Sequence, residues 1–176
     1  MNPFSISFVG DSGVGKTTLL VRIVQFLRAE GVDAAVLKHS KQFDDPDPPA
    51  KDSARLRAAG AQRVLLCSPE RTILFWDHPG GEPDFAARQQ LVSNCELLLV
   101  ESYRSAGLPA VEVMREALPR RIPRLTGDPM WRALVSDFTP DGLPPAVARF
   151  SLEDAQAIAR WVLTIRDDTI PSKKLA

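Results

Sequence analysis

A glycine-rich turn near the amino terminus, Gly10-Asp-Ser-Gly-Val-Gly-Lys-Thr17, constrains this chain more than any other feature. Residues 5–9 before it alternate between polar and apolar side chains, which predicts a β-strand. Residues 17–30 after it place leucine, isoleucine and valine three or four positions apart, a spacing typical of one helix face. A strand that passes through such a turn directly into a helix begins a βαβ unit, so we expect a parallel sheet.

The spacing of the turn, G-x-x-x-x-G-K-[ST], predicts a polyphosphate site. Its glycines let the main chain approach phosphate oxygens, so that the amides and the helix dipole face the anion. Lys16 is expected to neutralise the β and γ phosphates, and the Thr17 hydroxyl to ligate a bridging Mg²⁺ ion. Thr18 can reach a further phosphate oxygen. The predicted nucleotide-binding residues of the turn are Gly10, Ser12, Gly13, Val14, Gly15, Lys16, Thr17 and Thr18.

Strand patterns and helix patterns alternate along the rest of the chain, which predicts a three-layer α/β domain with a mostly parallel central sheet. We expect one nucleotide-binding domain over residues 1–168, followed by a polar tail at 169–176. The run 96–101 is the most apolar and is expected at the sheet centre. Residues 39–50 hold several acids and prolines and are expected to form an exposed loop. The other predicted strands are 33–38, 63–67, 72–77, 110–114 and 132–136, and a capped helix is expected to start at Ser151.

Acidic residues follow several of these strands, and open α/β sheets bind ligands at the carboxyl ends of their strands. Glu101 ends the most apolar strand and is the first candidate for a second magnesium ligand, while Asp77 is the alternative. Acids in or just after the loop could orient metal-bound or attacking water, with Asp45 and Asp52 as the catalytic candidates. Asp52 is equally explained as a helix cap. Asp44 and Asp47 belong to the same loop.

Three further features bear on ligand contacts. Lys38 and His39 end the second strand and should face the same rim, although a lone histidine is as often an ordinary packed or exposed side chain. Asp137 follows the strand at 132–136 and could accept the N1 and N2 protons of guanine. Lys51, Arg55 and Arg57 form a basic cluster that could meet an anion or make ion pairs along a helix.

Composition excludes several classes of protein. The 22 Lys and Arg residues balance 22 Asp and Glu residues, so binding to nucleic acid through bulk charge is not expected. No apolar run approaches the roughly 20 residues of a membrane helix, and the amino terminus does not resemble a signal peptide. We therefore expect a soluble cytoplasmic protein with no membrane contact. Its two cysteines have no CxxC spacing and indicate neither a disulfide framework nor a zinc site.

An ordered set of short motifs gives the chain a resemblance to a known family. The turn continues as Gly15-Lys-Thr-Thr-Leu-Leu20, and further matches are Val36-Leu-Lys-His39, Lys51-Asp-Ser53 with Arg57-Ala-Ala-Gly-Ala61, Ser68-Pro-Glu-Arg71, and Leu99-Val-Glu101 with Val111-Glu-Val113. This set resembles the MobB proteins, the GTP-binding adaptors of molybdopterin-guanine dinucleotide biosynthesis. The resemblance implies a P-loop NTPase fold, GTP with Mg²⁺, slow GTP hydrolysis, a homodimer, and a partnership with the molybdenum cofactor guanylyltransferase.

The resemblance also implies roles for particular residues. Lys38, His39, Lys51 and Ser53 match the family and would form a rim that binds nucleotide or molybdopterin phosphate. Ser102 stands where the family usually has glycine. Two other functions share the same turn: a small-molecule kinase, and a scaffold whose nucleotide only orders a partner interface.

Overall fold

The computed structural model describes residues 2–40 and 44–169. The chain forms two compact units, the first built from residues up to 39 and from 89 onward, the second from residues 40–88. Among the described residues, no helix is both long enough and apolar enough to cross a membrane. The predicted tail at 169–176 lies outside the described residues except for Thr169, which ends the last helix. In chain order the helices and strands are β1 (Phe4–Val9), α1 (Lys16–Ala29), β2 (Ala34–Lys38), α2 (Asp52–Ala58), β3 (Arg63–Cys67), β4 (Thr72–Trp76), α3 (Phe85–Gln90), β5 (Leu97–Glu101), β6 (Ala110–Val113), β7 (Trp131–Val135), β8 (Ala148–Phe150) and α4 (Ala155–Thr169).

The first unit contains a six-stranded sheet in the order β2-β5-β1-β6-β7-β8, with every neighbouring pair parallel. The predicted α/β class with a mostly parallel central sheet is therefore confirmed. β5 lies between β2 and β1, and all five of its residues are buried, as its apolar sequence predicts. β8 has only three residues and was not predicted.

The alternation of side chains along the strands gives the sheet two apolar faces. Ile6 and Phe8 of β1 contribute to a core that also contains residues of α1 and α4, such as Ile23 and Ile158. The opposite face carries Val9, Met114 and Leu134, which cluster with Leu125 and Val147 from irregular segments. Each such side chain, once fully buried, stabilises the fold by about 1.5–3 kcal/mol, so both faces hold the sheet in place.

The connections around β1 create the expected place for a ligand. From β1 the chain runs through α1 to β2 on one side, whereas from β5 it passes to β6 on the other side of β1. At such a switch point the loops separate and leave a crevice at the carboxyl ends of the strands. The glycine-rich turn after β1 lies at this point.

The second unit differs from the prediction. The strands expected at 63–67 and 72–77 form a separate two-stranded antiparallel sheet, β3 with β4. Their connection, residues 68–71, closes with a bond from the Ser68 amide to the Arg71 carbonyl. Four residues make a hairpin but are far too few for a parallel crossover, which needs a dozen or more. The loop predicted to be exposed also contains a buried residue, Asp47.

Candidate functional site

Gly10 and Val14 fix the shape of the turn that follows β1. A β carbon at Gly10 would lie 2.4 Å from the Val113 carbonyl oxygen, so only glycine lets the turn pass this close to β6. Val14 is 1% exposed and belongs to the core beneath the turn. The turn is therefore anchored at Gly10 by its contact with β6 and at Val14 by burial in the core.

Helix α1 begins in a way that suits an anion. Its N-cap residue, Gly15, has φ +97°, and no described side chain caps the first helical turn. The first amides of a helix have no partner within the helix and lie at the positive end of its dipole. The main chain at Gly15 thus presents the donors that the G-x-x-x-x-G-K-[ST] pattern predicts.

Lys16 folds back over the turn. Its Nζ donates hydrogen bonds to the carbonyl oxygens of Gly10 at 3.1 Å and Asp11 at 2.8 Å, and the residue is only 7% exposed. Burial lowers the pKa of the Lys16 amine from its ordinary value of 10.5, while the carboxylates of Glu101 and Asp11 act in the opposite direction. An ammonium group is therefore held directly above the turn.

Thr17, Glu101 and Lys38 meet at the carboxyl ends of β2 and β5. The Thr17 hydroxyl donates to Glu101 Oε1 at 2.8 Å, and Lys38 Nζ lies 3.9 Å from the same oxygen. Lys38 and Glu101 are register partners in the parallel pair β2–β5, which explains why their side chains are neighbours. A hydroxyl and a carboxylate are hard oxygen ligands of the kind Mg²⁺ takes, so this pair fits the predicted metal.

The rim beside Glu101 has two further features. The His39 ring stacks on Tyr103 with centroids 4.5 Å apart and planes 5° apart, and the His39 amide donates to the Glu101 carbonyl. Ser102 has φ +66°, the left-handed conformation that favours glycine. The serine at this position therefore retains the backbone shape that a glycine would adopt.

The segment after β6 reaches back to the turn. Asp11 accepts hydrogen bonds from Nε of Arg120 at 2.9 Å and from Nε of Arg124 at 3.0 Å, and Arg124 Nη2 also contacts it. The bond from Arg124 is the main reason that the pKa of Asp11 is lowered. Glu112 is fully buried and accepts the main-chain amides of Arg124 and Leu125. Burial raises the pKa of Glu112, and together these bonds fix where the segment lies.

Asp137, the predicted guanine contact, follows β7 at the same edge of the sheet. It is exposed, and its Oδ1 accepts the Glu116 amide at 2.7 Å. The carboxylate is thus oriented by the segment after β6.

The remaining candidates lie in the second unit, around Arg57. Its guanidinium pairs with Asp77, Asp45 and Asp47, and its bonds to Asp77 contribute most to the raised pKa of the guanidinium. Ser53 is buried and donates to Asp47 Oδ1 at 2.7 Å. These groups hold the loop residues at the start of α2.

Asp77, the alternative metal ligand, follows β4 of the two-stranded sheet and belongs to this cluster, so it does not end a strand of the six-stranded sheet.

Asp52 is exposed and forms an ion pair with Arg55. Helix α2 begins at Asp52, and no side chain of the described residues caps the helix. The predicted cap is therefore wrong. Lys51 precedes the helix as its N-cap residue, and its carbonyl accepts the Arg55 amide.

Sequence reasoning missed the arginines after β6. Arg115, Arg120 and Arg124 lie in a stretch that reads only as an irregular connection rich in proline and arginine. Glu112 gave one usable signal, since an acid within an apolar strand must find buried partners.

The first unit combines a glycine turn held against β6, a lysine above it and a hydroxyl–carboxylate pair beside it. The model of the family MobB, Molybdopterin guanine dinucleotide synthesis protein B, matches residues 5–137. This chain belongs to the MobB family. The match spans the turn, Glu101 and Asp137.

Three relatives are similar over much of the chain. The molybdopterin-guanine dinucleotide biosynthesis adapter protein of Escherichia coli (strain K12) is 32% identical over 161 residues, which cover 90% of each chain. The adapter protein of the same name from Haemophilus influenzae is 31% identical over 121 residues, or 68% of each chain. A crystal structure of molybdopterin-guanine biosynthesis protein B has a TM-score of 0.69 at 24% identity, covering 92% of this chain and 99% of the other. That structure supports the fold.

Proposed function

We propose that this MobB protein binds GTP with Mg²⁺, hydrolyses it slowly and acts as an adapter in molybdopterin-guanine dinucleotide biosynthesis. The observation that carries the nucleotide part is the 2.8 Å bond between the Thr17 hydroxyl and Glu101, made beside a glycine turn of the P-loop pattern. A hydroxyl at the first helical turn and an acid at the end of the neighbouring strand are the pair from which P-loop proteins hold their metal. The names of the curated relatives support the adapter part.

In this proposal each residue of the turn has a binding role. The main chain of Gly10, Ser12, Gly13, Val14 and Gly15 surrounds the phosphates, and the Lys16 ammonium neutralises them. Thr17 Oγ1 and Glu101 hold Mg²⁺, and Thr18 binds a further phosphate oxygen. Bound Mg²⁺ would neutralise phosphate charge.

Hydrolysis would rest on positioning and charge neutralisation rather than covalent chemistry. Asp45 and Asp52 stay the candidates for orienting water. Asp45 accepts the Asp47 amide and a bond from Arg57, contacts that lower its pKa and keep it a carboxylate. Asp137 is proposed to read guanine through the oxygen that does not accept the Glu116 amide.

The proposed partner is the molybdenum cofactor guanylyltransferase, the enzyme that would use the adapter. Lys38 and His39 in the first unit, and Lys51 and Ser53 in the second, are each proposed to contact a phosphate of nucleotide or molybdopterin. We propose that the protein is a homodimer and acts in the cytoplasm, where thiols such as those of Cys67 and Cys95 stay reduced.

Isothermal titration calorimetry with Mg-GTP and Mg-ATP tests the nucleotide part. Lys16→Ala and Thr17→Ala should each weaken Mg-GTP binding by at least about tenfold, the effect of losing one charge-assisted contact. Thr164→Ala is the matched control, because that hydroxyl is exposed and, among the described residues, bonds only to the helix carbonyl of Arg160. Glu101→Gln should reduce metal dependence and hydrolysis more than affinity.

Equal affinity for GTP and ATP would contradict the guanine assignment, and unchanged affinity in the Lys16 and Thr17 variants would refute the site. The adapter part is tested separately by titrating the guanylyltransferase into this protein with and without GTP. Lack of binding in both conditions would overturn the proposed partnership.

A further inference from the structure

Three arginines of the segment after β6 approach the glycine turn, and they differ in their partners. Arg120 and Arg124 are both paired with Asp11. Arg115 lies closer to the start of α1: a β carbon at Gly15 would be 3.3 Å from Arg115 Nη2. One arginine of the three is thus directed at the part of the turn that begins the helix.

Arg115 Nε carries an unsatisfied donor. The atom is fully buried and has no hydrogen-bond partner among the described residues. Buried donors of this kind are rare in folded proteins, because burying an N–H without an acceptor is unfavourable. An arginine that lies beside the glycine turn with a buried, unsatisfied Nε therefore points to an acceptor that arrives with the ligand.

The acidic groups nearby are already engaged. Asp11 accepts from two arginines, and the Glu112 carboxylate accepts two main-chain amides. Arg115, by contrast, adds positive charge beside Gly15, where the helix dipole and Lys16 do the same. An anion bound at the turn would be stabilised by these donors and by their positive charge.

We propose that Arg115 is a phosphate-binding residue, which donates from its guanidinium to the phosphate chain of the nucleotide at Gly15. This inference rests on the proposed nucleotide binding. A guanidinium suits this task because its planar donors match two phosphate oxygens at once, which a lysine ammonium cannot do. Because Gly15 lies at the start of the helix, the contact should form with GDP as well as with GTP.

Calorimetry of the full chain with Mg-GTP, Mg-GDP and GMP tests the proposal. Arg115→Met removes the donors and keeps an apolar stem of similar length. We expect it to weaken GTP and GDP binding by about 10- to 100-fold, as the loss of one or two charge-assisted bonds would do. Arg115→Lys should recover part of that loss. Arg132→Met is the control, because Arg132 is exposed and, within the part of the chain that the structure describes, donates only to the Pro129 carbonyl.

Thermal unfolding without nucleotide separates binding from a structural role. Since Arg115→Met removes a buried donor that lacks an acceptor, the unfolding temperature of the nucleotide-free variant should equal or exceed that of the wild type. The stabilisation that Mg-GDP confers should shrink in parallel with affinity. A lower unfolding temperature together with unchanged nucleotide affinity would show a structural role and overturn the proposal.

The two proposals fail in different ways. If the wild-type protein binds Mg-GTP and Mg-GDP but Arg115→Met binds them equally well, the role of Arg115 is refuted and nucleotide binding stands. If the wild-type protein binds neither, both proposals are refuted together.

Discussion

At Gly10 the main chain passes so close to β6 that there is no room for a side chain at this position. The nearest atom to a β carbon there is the carbonyl oxygen of Val113, which belongs to a buried parallel strand and cannot move aside alone. The turn, α1 and β6 would have to separate to admit a methyl group. Since Lys16 bonds to the Gly10 carbonyl, the same displacement would reach the predicted phosphate site.

We therefore expect Gly10→Ala to lower the free energy of unfolding by about 1–3 kcal/mol through overpacking. It should also weaken nucleotide binding. Gly142→Ala is the comparison, because Gly142 has φ +72° but a β carbon built there would have no atom of the described residues within 4 Å. That variant measures the left-handed conformation alone, about 1–2 kcal/mol. Urea unfolding gives both values, and full nucleotide affinity in a folded Gly10→Ala protein would contradict this account.

At the scale of elements, the segment that follows β6 is organised by one buried acid. Glu112 turns its two carboxylate oxygens to consecutive amides of a segment without regular secondary structure. Regular helices and strands satisfy such amides by their repeating main-chain bonds, whereas here the Glu112 side chain satisfies two amides of an irregular segment. Fixing these amides also sets where Arg124 meets Asp11.

The same burial predicts a pH dependence. Because burial raises the Glu112 pKa above its ordinary value of 4.5, the folded protein binds the proton more tightly than the unfolded chain does. The stabilisation linked to Glu112 is therefore fully present below about pH 4.5 and declines as pH rises through the raised pKa. Unfolding free energies of wild type and Glu112→Gln, measured across this range, should show a difference that shrinks with rising pH.

Asp11, in the glycine turn, gives a pH dependence of the opposite sign. The Arg124 bond lowers its pKa below 3.8, so its contribution is present above that pH and is lost as pH falls through the lowered pKa. Asp11→Asn should therefore reduce stability most above about pH 4.

For Glu112, a difference between the unfolding free energies of wild type and Glu112→Gln that stays constant with pH would contradict the burial argument.

At the scale of the whole molecule, the regularity of each part decides how much of it the sequence predicts. β1, α1 and β5 could be predicted from local periodicity. Their buried side chains recur at the fixed spacing of a strand or of a helix face. The placement of Lys16, Thr17 and Glu101 could be predicted as well, because the turn motif is local in the sequence and parallel strands end at the same edge of a sheet. Asp77 does follow a strand, as predicted, but that strand belongs to the separate antiparallel sheet, because a strand pattern in the sequence does not state which sheet the strand joins.

Two parts could not be predicted: the path of a segment without regular secondary structure, and the choice between neighbouring residues that can each cap a helix. Arg115 approaches Gly15 from the segment after β6, and no periodicity in the sequence encodes the path of that segment. The last helix begins at Ala155, four residues later than predicted from Ser151. Asp154 accepts the Ala157 amide and so caps the helix in place of the serine.

The two sheets should differ in their resistance to local opening. β5 has a hydrogen-bonded neighbour on each side, and all five of its residues are buried. In residues 2–40 and 44–169, β3 and β4 pair only with each other, and Leu65 is 61% exposed. A two-stranded sheet is marginal by itself, so its amides should exchange through local opening while those of β5 need nearly global unfolding.

Native-state hydrogen exchange should therefore give β5 amides protection at least about 100-fold greater than the amides of β3 and β4. The measurement should be made at two protein concentrations, because an association that covers the apolar side chains of the small sheet would slow its exchange as concentration rises. If β3 and β4 proved as protected as β5 at the lower concentration, their stability could not come from this pair of strands alone.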